Sequence, residues 1–424
     1  MRVTLLSESD HSGGAARAAW RLYCALHDSG LMATMQVARA LREEPGVRAI
    51  RSGQSQRLRR WAGRLINRLQ VTGNQEFHSA NVLPSRWHTK LNTSGIDVLN
   101  LHWVGGEALS IEDLGRLTKP IVWTLHDMWP FCGAEHYADE DETARWRHGY
   151  HAANRTLSAR GLDLDRWVWI RKQRAWRQPL HLVSPSRWLA QQAKASALLG
   201  QQPVHVIPNP IDLTVFRPYP QAEARARLHL PPNQLLILFG ALGGTHNPRK
   251  GADLLEAAIG QLPRLIGGRP WCSLIFGQSA PAGVASFGGQ PAIWLGHIGE
   301  DKLLALLYSA ADVMVVPSRQ ENLPQTATEA QACGCPVVAF DCTGLPDAVL
   351  QHRTGFLAKA YDAGDLAHGI RWILDEPTRR RQLGSAAAER ARTLWSPVEI
   401  ARQYQSVFEQ ALLAHASGQP ERRP

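Results

Sequence analysis

Short apolar segments that alternate with helical patterns constrain this fold more than any other feature of the sequence. The first covers residues 2–7 (RVTLLS), and a glycine-containing loop separates it from a helical pattern over 15–26. Strands that alternate with helices are typical of βαβ units, in which the strands form a parallel sheet. We therefore predict an α/β fold built on parallel sheets.

The alternation occurs in two series, one on each side of a proline-rich segment. A chain of 424 residues exceeds the roughly 250–300 residues at which a single hydrophobic core stops growing. Pro208-Asn209-Pro210 and Pro218-Tyr219-Pro220 favour a linker. Strands are predicted at 2–7, 96–101, 120–125, 181–183, 204–207, 235–240, 271–277, 292–295, 312–316 and 336–340, and helices near 110–117, 166–178, 186–199, 251–262, 300–310, 325–333 and 363–375.

These patterns predict two doubly wound, Rossmann-like domains, residues 1–215 and 216–397, which we expect to face each other across a cleft. A last helix over about 398–414 follows Ser396-Pro397, a typical cap and first-turn proline, and is expected to pack back on the first domain. Residues 417–424 form a polar tail that is expected to fray.

Composition and charge indicate the cellular compartment and the classes of molecule that this protein can bind. The sequence has no apolar run of about 18 residues, and its first apolar segment is too short for a signal peptide. Its six cysteines show no metal-finger spacing and are expected to be reduced. We therefore expect a cytoplasmic protein. The net charge of +10 favours anionic partners: nucleic acid, anionic lipid or phosphorylated small molecules.

The segment from Pro317 to Ala339 carries the sharpest chemical signal. It leaves a predicted strand at its carboxyl end, where open α/β sheets bind ligands. Glu321 is expected on the loop, within reach of a polyol, and Glu329 two turns along the following helix, able to accept two hydrogen bonds from a ribose diol. Taken alone, this pair is also consistent with a simpler interpretation, in which both glutamates lie on the surface of a solvent-exposed helix.

A second loop, residues 240–251, also joins a predicted strand to a helix. Arg249 and Lys250 can neutralise a diphosphate there, and the glycines allow close approach of the backbone. The nucleotide-triphosphate signature G-x-x-x-x-G-K-[ST] is absent from the sequence, which disfavours triphosphate hydrolysis. A solvent-facing basic helix start is the alternative, although cations at a helix N-terminus are slightly unfavourable.

Polar residues also follow strands in the first predicted domain. Gly13-Gly14 opens the first helix, His102 follows the strand at 96–101, and His126-Asp127 follows the strand at 120–125. A single histidine is more often structural than catalytic, but one at the end of a parallel strand and followed by Asp is better placed for function.

Together these motifs resemble the retaining glycosyltransferases of family 4, which have the GT-B fold, and most closely the bacterial exopolysaccharide transferases of the colanic-acid type. The resemblance extends over nearly the whole chain and rests on GGAARAA (13–19), NLHWVGGEALSI (100–111), VWTLHDMWPF (122–131), VSPSRWL (183–189), VIPNPID (206–212), NPRKG (247–251), the E-x7-E string and TGFLA (354–358).

The resemblance implies that residues 1–215 form the acceptor-side domain and residues 216–397 the nucleotide-sugar domain. Its catalytic residues would be His126, near the reacting centre, with Asp127 beside it, and Glu321, on the donor-sugar hydroxyls. The donor would also contact Gly13, Gly14, Arg249, Lys250, the backbone of Asn322, Leu323 and Pro324, and Glu329 on the ribose. The family needs no metal and no cofactor, and it retains the anomeric configuration.

The sequence departs from the resemblance after HDMWPF. Relatives often continue into a cysteine-rich stretch, whereas here CGAEHY (132–137) runs into ADEDETARWRHGYHAANR (138–155) without another cysteine. We therefore expect neither a cross-link nor a metal in this loop.

An acid-free interval between Glu44 and Glu76 contains a predicted amphipathic helix. Leu58, Trp61 and Leu65 share one face, while a row of arginines (Arg57, Arg60, Arg64 and Arg68) lines the other. This pattern is typical of a helix lying on an anionic membrane surface; a helix with its apolar face on the core is equally consistent. Residues 166–177 are predicted to form a second patch of tryptophans and cations. Nucleic acid is disfavoured, because no binding module accompanies the charge.

The sequence thus predicts an enzyme that moves a sugar from a nucleotide-diphosphate sugar to a lipid-linked or growing polysaccharide acceptor, with retention, at the inner face of the cytoplasmic membrane. The alternatives are another GT-B enzyme such as a sugar-nucleotide epimerase, or a non-catalytic sugar-nucleotide-binding partner of an export assembly.

Overall fold

The computed structural model describes residues 1–50, 52–240, 243–280 and 286–418. Arg51, Ala241, Leu242 and the predicted tail beyond residue 418 lie outside this range. The chain divides into two compact units: unit 1 is Met1–Asn209 together with the residues from Val398 onward, and unit 2 is Pro210–Pro397.

Unit 1 contains a seven-stranded sheet with the order β3-β2-β1-β5-β6-β8-β9, in which every pair of neighbours is parallel. A short antiparallel pair, β4 and β7, lies apart from it. The strands are β1 (Arg2–Ser9), β2 (Met32–Arg39), β3 (Val47–Ala49), β4 (Gln70–Val71), β5 (Val98–Leu101), β6 (Ile121–Thr124), β7 (Arg160–Gly161), β8 (Leu180–Ser184) and β9 (Val204–Val206).

In the described part of unit 1, the helices between these strands are α1 (Gly14–Asp28), α2 (Gly53–Asn67), α3 (Trp87–Thr93), α4 (Ile111–Gly115), α5 (Arg145–His148), α6 (Leu164–Ala175) and α7 (Arg187–Ala195). The central strands β5, β6 and β8 are buried along their whole length, as expected of parallel strands that helices cover on both faces.

Unit 2 contains a second seven-stranded sheet, ordered β12-β13-β11-β10-β14-β15-β16 and parallel except at the β12–β13 pair. Its strands are β10 (Leu235–Gly240), β11 (Trp271–Phe276), β12 (Ser286–Phe287), β13 (Gln290–Trp294), β14 (Val313–Val316), β15 (Val337–Phe340) and β16 (Gly355–Ala358). The helices are α8 (Gln221–Arg227), α9 (Ala252–Ile259), α10 (Asp301–Ala310), α11 (Gln325–Ala332), α12 (Leu345–Ala348), α13 (Ala363–Asp375) and α14 (Pro377–Leu394).

The C-terminal helix α15 (Pro397–Ala416) belongs to unit 1. Tyr404 and Phe408 are buried in the same core cluster as Leu22 and Val122, and the Tyr404 hydroxyl lies 3.0 Å from Oγ1 of Thr124 at the end of β6. A helix distant in sequence therefore closes the core beneath the carboxyl end of β6.

The predicted fold class is confirmed: each unit is a Rossmann-like α/β domain on a parallel sheet. The first domain boundary differs from the predicted residue 215, because Ile211 is already buried in the core of unit 2 and its amide donates to the Trp395 carbonyl. Among the described residues, no helix has both the length and the apolar character needed to cross a bilayer.

Candidate functional site

The predicted cation loop lies at the carboxyl end of β10. Arg249 and Lys250 form a single 3₁₀ turn that the Asn247 side chain caps by accepting from the Arg249 amide at 3.0 Å. Gly251 follows with φ +68°, and a Cβ at this position would lie 1.8 Å from the Pro317 carbonyl oxygen. The turn therefore packs directly against the chain leaving β14, which requires glycine at residue 251.

This packing brings both cations to Glu321. The Glu321 Oε1 atom accepts a hydrogen bond from Lys250 Nζ, lies 3.5 Å from Arg249 Nη1, and accepts from the Ser318 hydroxyl at 3.2 Å. Arg249 also donates to the Gln320 carbonyl at 2.7 Å. We call Arg249, Lys250 and Glu321 the charge triad; its members come from the two loops that the sequence singled out.

The electrostatics of the triad favour an ionised acid. Burial alone would raise the pKa of Glu321, but the charges of Lys250 and Arg249, with hydrogen bonds from Lys250 and Ser318, outweigh it and lower that pKa. Two cations facing one carboxylate leave one net positive charge in a largely buried site. An anionic ligand can therefore be attracted there without an added cation.

The chain after Glu321 is held by the neighbouring loop. The Glu321 amide donates to Thr343 Oγ1 at 3.2 Å, and the Gly344 amide donates to the Glu321 carbonyl at 2.9 Å. Asn322, Leu323 and Pro324 are buried, and α11 begins immediately after Pro324. These three residues therefore lie on a fixed segment beside the triad, and their backbone contacts with a donor stay a prediction.

Glu329 lies on the second turn of α11. Its side chain is buried, and its Oε2 atom accepts a hydrogen bond from the Tyr308 hydroxyl at 3.0 Å. Tyr308 comes from α10 and is not recognisable from the sequence as a partner of the E-x7-E string. The ribose contact of Glu329 stays a prediction.

In unit 1, the predicted residues gather at the carboxyl ends of three adjacent strands. Gly13, with φ +89°, ends the loop after β1 and precedes the first residue of α1, Gly14. His102 directly follows β5, and His126 lies two residues beyond the end of β6. Since β1, β5 and β6 are neighbours in the sheet, the fold places these groups at one edge.

A chain of hydrogen bonds fixes the orientation of His126. The Asn100 side chain donates through Nδ2 to the Val122 carbonyl at 3.1 Å, so its Oδ1 atom accepts from His102 Nε2 at 3.0 Å. In neutral His102, Nδ1 is then the acceptor, and it receives a hydrogen bond from His126 Nε2 at 2.9 Å. His126 therefore carries its proton on Nε2 and its lone pair on Nδ1.

Both imidazoles are neutral near pH 7. Burial, with the neighbouring His126, lowers the pKa of His102 well below its usual value. Burial lowers the pKa of His126 to about 4, although the Asp127 charge acts in the opposite direction. Sequence reasoning found both histidines but missed Asn100, which lies inside β5 and has no catalytic signature.

The contacts of Asp127 favour a structural role over the catalytic role predicted for it. Its carboxylate accepts from His136 Nδ1 at 2.6 Å, Trp103 Nε1 at 2.8 Å and the Trp129 amide at 3.1 Å. Burial raises the pKa of Asp127, but His136 and these hydrogen bonds lower it overall. An acid with three donors and a lowered pKa organises the loop after β6 and is poorly suited to removing a proton.

Helix α2 exposes large apolar side chains that an ordinary surface helix would bury. The side chains of Leu58, Trp61, Leu65 and Leu69 are 65%, 55%, 40% and 51% exposed. Ile66 of the same helix is partly buried against the core of unit 1, so the alternative of an apolar face on the core holds for Ile66 but not for these four side chains. Arg57, Arg64 and Arg68 are also exposed and flank the apolar stripe.

Polar groups hold the inward face of α2. Arg59 donates to the carbonyls of Leu83 and Glu107 at 2.5 and 3.0 Å, and Gln56 donates to the Gly106 carbonyl at 3.1 Å. Arg60, predicted in the outward row, instead lies 3.5 Å from Glu8 and is only 32% exposed. The basic row therefore consists of three arginines rather than four.

The predicted second patch, at α6, is only partly exposed: Trp167 is 45% exposed and Arg166, Arg174 and Arg177 are exposed, whereas its other aromatic residues are interior. Trp169 and Trp176 are buried in the core of unit 1, and buried Lys172 donates to the Cys132 and Gly133 carbonyls at 3.1 and 2.7 Å. Trp169 lies on α6 and Trp176 directly follows its last residue, and the predicted exposure is wrong for these two tryptophans.

The state of His126 can be tested directly. The pKa of His126 is about 4 in the folded protein and about 6.5 in the unfolded chain. Protonation of His126 therefore favours unfolding. The contribution of neutral His126 to the free energy of unfolding is complete above pH 6.5 and is lost as the pH falls towards 4. Long-range ¹H–¹⁵N NMR of ¹⁵N-histidine-labelled protein, assigned with His126→Gln, should show a neutral ring protonated on Nε2 from pH 8 to pH 5. A folded-state titration near pH 6.5 would contradict this.

Two family models match the chain. Residues 12–215 match the family described as Glycosyltransferase Family 4, and residues 285–390 match Glycosyl transferases group 1. A "D-inositol 3-phosphate glycosyltransferase" of Segniliparus rotundus is 33% identical over 199 residues, which cover 45% of this chain and 43% of the relative. The chain thus spans less than half the length of this curated relative.

Solved structures share the fold over nearly the whole chain. A sucrose-phosphate synthase from Thermosynechococcus elongatus has a TM-score of 0.68 and 21% identity, covering 98% of this chain and all of that one. HepE of Anabaena, solved with UDP-glucose, has a TM-score of 0.63 and 16% identity, covering 97% of this chain and all of that one. The chain therefore has the GT-B fold and carries a Glycosyltransferase Family 4 domain followed by a Glycosyl transferases group 1 domain.

Proposed function

We propose that the chain is a retaining glycosyltransferase that transfers a sugar from a nucleotide-diphosphate sugar to a lipid-linked or growing polysaccharide acceptor. The charge triad is the observation that carries this proposal. Two cations and one ionised acid lie together on loops at the carboxyl ends of β10 and β14, where an open α/β sheet binds ligands.

In this proposal, Arg249 and Lys250 bind the donor diphosphate. Both side chains contact Glu321 in the structure, and each can turn towards a phosphate that carries more charge than one carboxylate. Two fixed cations can also stabilise the charge that develops on the leaving nucleoside diphosphate. The transfer therefore needs no metal at this step.

Glu321 and Glu329 have separate roles in this proposal. Glu321 remains ionised beside the diphosphate and accepts hydrogen bonds from donor-sugar hydroxyls, with the backbone of Asn322, Leu323 and Pro324 next to it. Glu329 accepts from the ribose diol, and Tyr308 holds it in place. The acceptor hydroxyl attacks the same face of the sugar from which the phosphate leaves, and the phosphate takes its proton.

In this proposal, His126 and Gly13-Gly14 of unit 1 also contact the donor. A neutral imidazole oriented by His102 and Asn100 can make a defined hydrogen bond to a sugar hydroxyl without competing for the transferred proton. Gly13 and Gly14 can approach a phosphate through the backbone at the start of α1. Asp127 is proposed as a positioning residue for the loop that follows His126.

The exposed face of α2 supports a peripheral membrane location. Leu58, Trp61 and Leu65 can enter the interface of a bilayer, while Arg57, Arg64 and Arg68 meet anionic headgroups. The adjacent pocket of about 640 Å³ is lined by Arg64 and Arg68 together with Phe77. A pocket with two arginines and one glutamate, Glu76, in its lining, beside a helix proposed to lie on the membrane surface, suits an acceptor whose phosphate joins a sugar to a lipid.

A soluble phosphorylated polyol is the second candidate acceptor. The curated relative from Segniliparus rotundus is named a D-inositol 3-phosphate glycosyltransferase, which favours this acceptor. The arginines of the same pocket could bind its phosphate. Mass spectrometry of products formed with membrane lipid extract or with inositol phosphate separates the two. Products formed without acceptor would indicate an epimerase, and the absence of any donor turnover would indicate a non-catalytic binding protein.

The diphosphate contact is tested by Arg249→Ala and Lys250→Ala. A charge-assisted hydrogen bond contributes about 1.5–3 kcal/mol, so each variant should bind nucleoside diphosphate roughly 10-fold or more weakly in calorimetric titrations. Arg264→Ala, which removes an exposed cation of the same unit, is the matched control. Unchanged affinity in both test variants would refute the assignment.

The division of roles between the glutamates is tested by Glu321→Gln and Glu329→Gln. Glu329→Gln should weaken free nucleoside diphosphate and donor alike, since both carry the ribose. Glu321→Gln removes the charge that holds the two cations, so it should keep or strengthen nucleoside diphosphate binding while turnover falls. Equal dissociation constants of the two variants for nucleoside diphosphate would contradict this division.

The membrane contact is tested by replacing Arg57, Arg64 and Arg68 with Gln. About 1 kcal/mol per basic residue predicts that binding to phosphatidylglycerol vesicles falls on the order of 100-fold. Wild-type binding should also weaken between 0.1 M and 1 M salt, because the Debye length shortens from about 10 Å to about 3 Å. Co-sedimentation measures both effects.

Two controls make the vesicle experiment specific. Arg60→Gln should still pellet with vesicles, because Arg60 faces Glu8 rather than the exterior. A triple Gln variant of the exposed Arg264, Arg353 and Lys359 loses the same charge from unit 2. Equal pelleting of the α2 variant and wild type would show that this face has another role.

A further inference from the structure

Three side chains of unit 1 bring together metal-ligating atoms outside the residues proposed for sugar transfer. His78, Glu135 and Asp165 each offer one ligand atom, and these atoms lie within 4.8 Å of one another. His78 and Glu135 face each other across an isolated antiparallel bridge, and Asp165 is in the first turn of α6. We call these three residues the His78 cluster.

The tautomer of His78 leaves its ligating nitrogen available. Its Nδ1 atom lies 2.7 Å from the Glu76 carbonyl oxygen, which can only accept, so the proton is on Nδ1 and Nε2 carries the lone pair. Nε2 is 3.8 Å from Asp165 Oδ1. A histidine ligand oriented by a carbonyl on its other nitrogen is the usual arrangement in metal sites.

Asp165 is held by a second set of contacts. Its Oδ1 atom accepts from the Ala134 amide at 3.2 Å, and its Oδ2 atom accepts from Gln70 Nε2 at 2.5 Å. Gln70 is itself fixed, because its Oε1 atom accepts from the Leu164 and Asp165 amides at 2.6 and 3.1 Å. The carboxylate therefore faces the cluster without freedom to turn away.

Glu135 has a buried carboxylate oxygen without a hydrogen-bond partner, which indicates that a ligand binds there. Its side chain is 5% exposed, and while Oε1 accepts from the Tyr150 hydroxyl, Oε2 is buried with no hydrogen-bond partner. His78 Nε2 is buried without a partner as well. Three electron-pair donors thus converge with no hydrogen-bond donor between them, an arrangement that costs free energy unless a cation or a proton lies there.

We propose that His78, Glu135 and Asp165 bind a divalent transition-metal ion, with zinc as the preferred ion. Zinc accepts both imidazole nitrogen and carboxylate oxygen as ligands, and two carboxylates balance the charge of the ion. Zinc bonds of about 2.0–2.2 Å place tetrahedral ligands about 3.4 Å apart, so side-chain adjustments of less than about 1.5 Å close the site. A water molecule from the pocket that His78 and Ala134 line can take the fourth position.

The bound ion would tie three distant segments together. Residues 70–78, the loop around Glu135 and the start of α6 would share one ion. His136, the neighbour of Glu135, donates to Asp127, so the ion would stiffen the loop that follows His126. The absence of cysteines after Cys132 predicted no metal in this loop; the structure supplies a histidine and carboxylates instead.

A shared proton is the competing occupant. Burial, together with the nearby Asp165, raises the pKa of Glu135 well above its usual value, so a proton bound there would also relieve the three acceptors. Zinc affinity distinguishes the two, because a metal site releases such a proton when zinc binds, whereas a cluster suited only to a proton takes up no zinc.

The experiment uses the full chain without an affinity tag, stripped with a chelator and titrated with zinc in competition with a chromophoric chelator. One equivalent should bind and should raise the melting temperature. His78→Gln, Glu135→Gln and Asp165→Asn should each lose more than the roughly 10–100-fold in affinity that removal of a mere supporting residue costs. Glu142→Gln, an exposed carboxylate of the same segment, should bind as wild type does.

Two results would overturn the proposal. Wild-type protein that binds no zinc would assign the cluster to a shared proton. Zinc bound equally by wild type and by the three variants would place the ion elsewhere. Cobalt substitution adds a structural readout, since a four-coordinate site gives intense visible absorption that each of the three variants should lose.

Discussion

Everything proposed for sugar transfer depends on one interaction: a buried carboxylate, Glu321, shared by Lys250 and Arg249. Each partner alone would be costly to bury, because an unpaired ion in a protein interior shifts its pKa or remains solvated. Together they form a preformed site with one net positive charge. In the proposed function, a diphosphate that draws the cations away would leave Glu321 ionised beside the donor sugar, so that ligand binding and the placement of the acid would be coupled.

In unit 1, the two histidines at the carboxyl ends of the parallel strands are neutral, whereas the groups of the triad at the corresponding position in unit 2 are charged. His126 is oriented through His102 by Asn100, and Tyr404 of α15 lies against Thr124 at the end of β6. A C-terminal helix thus supports the strand that carries His126. The contrast is chemical: unit 2 presents fixed charge suited to phosphates, whereas unit 1 presents a ring whose proton position is defined.

Hydrophobic periodicity was sufficient to predict the two α/β units and the loops that carry Glu321 and Lys250, because these features are local in sequence. It missed β2 and the long helix α14, whose apolar residues are interspersed with polar ones. It could not predict which side of α2 faces outward, since Arg59 bonds to carbonyls distant in sequence. The His78 cluster was hidden for the same reason: its ligands come from three distant segments.

The most direct test of the charge triad is a crystal structure of the full chain bound to a nucleotide-diphosphate sugar. The account predicts diphosphate oxygens within hydrogen-bond distance of Lys250 Nζ and the Arg249 guanidinium, with the Glu321 carboxylate on sugar hydroxyls instead of on the two cations. A bound nucleotide whose phosphates contact neither cation, with the Lys250–Glu321 pair intact, would contradict it.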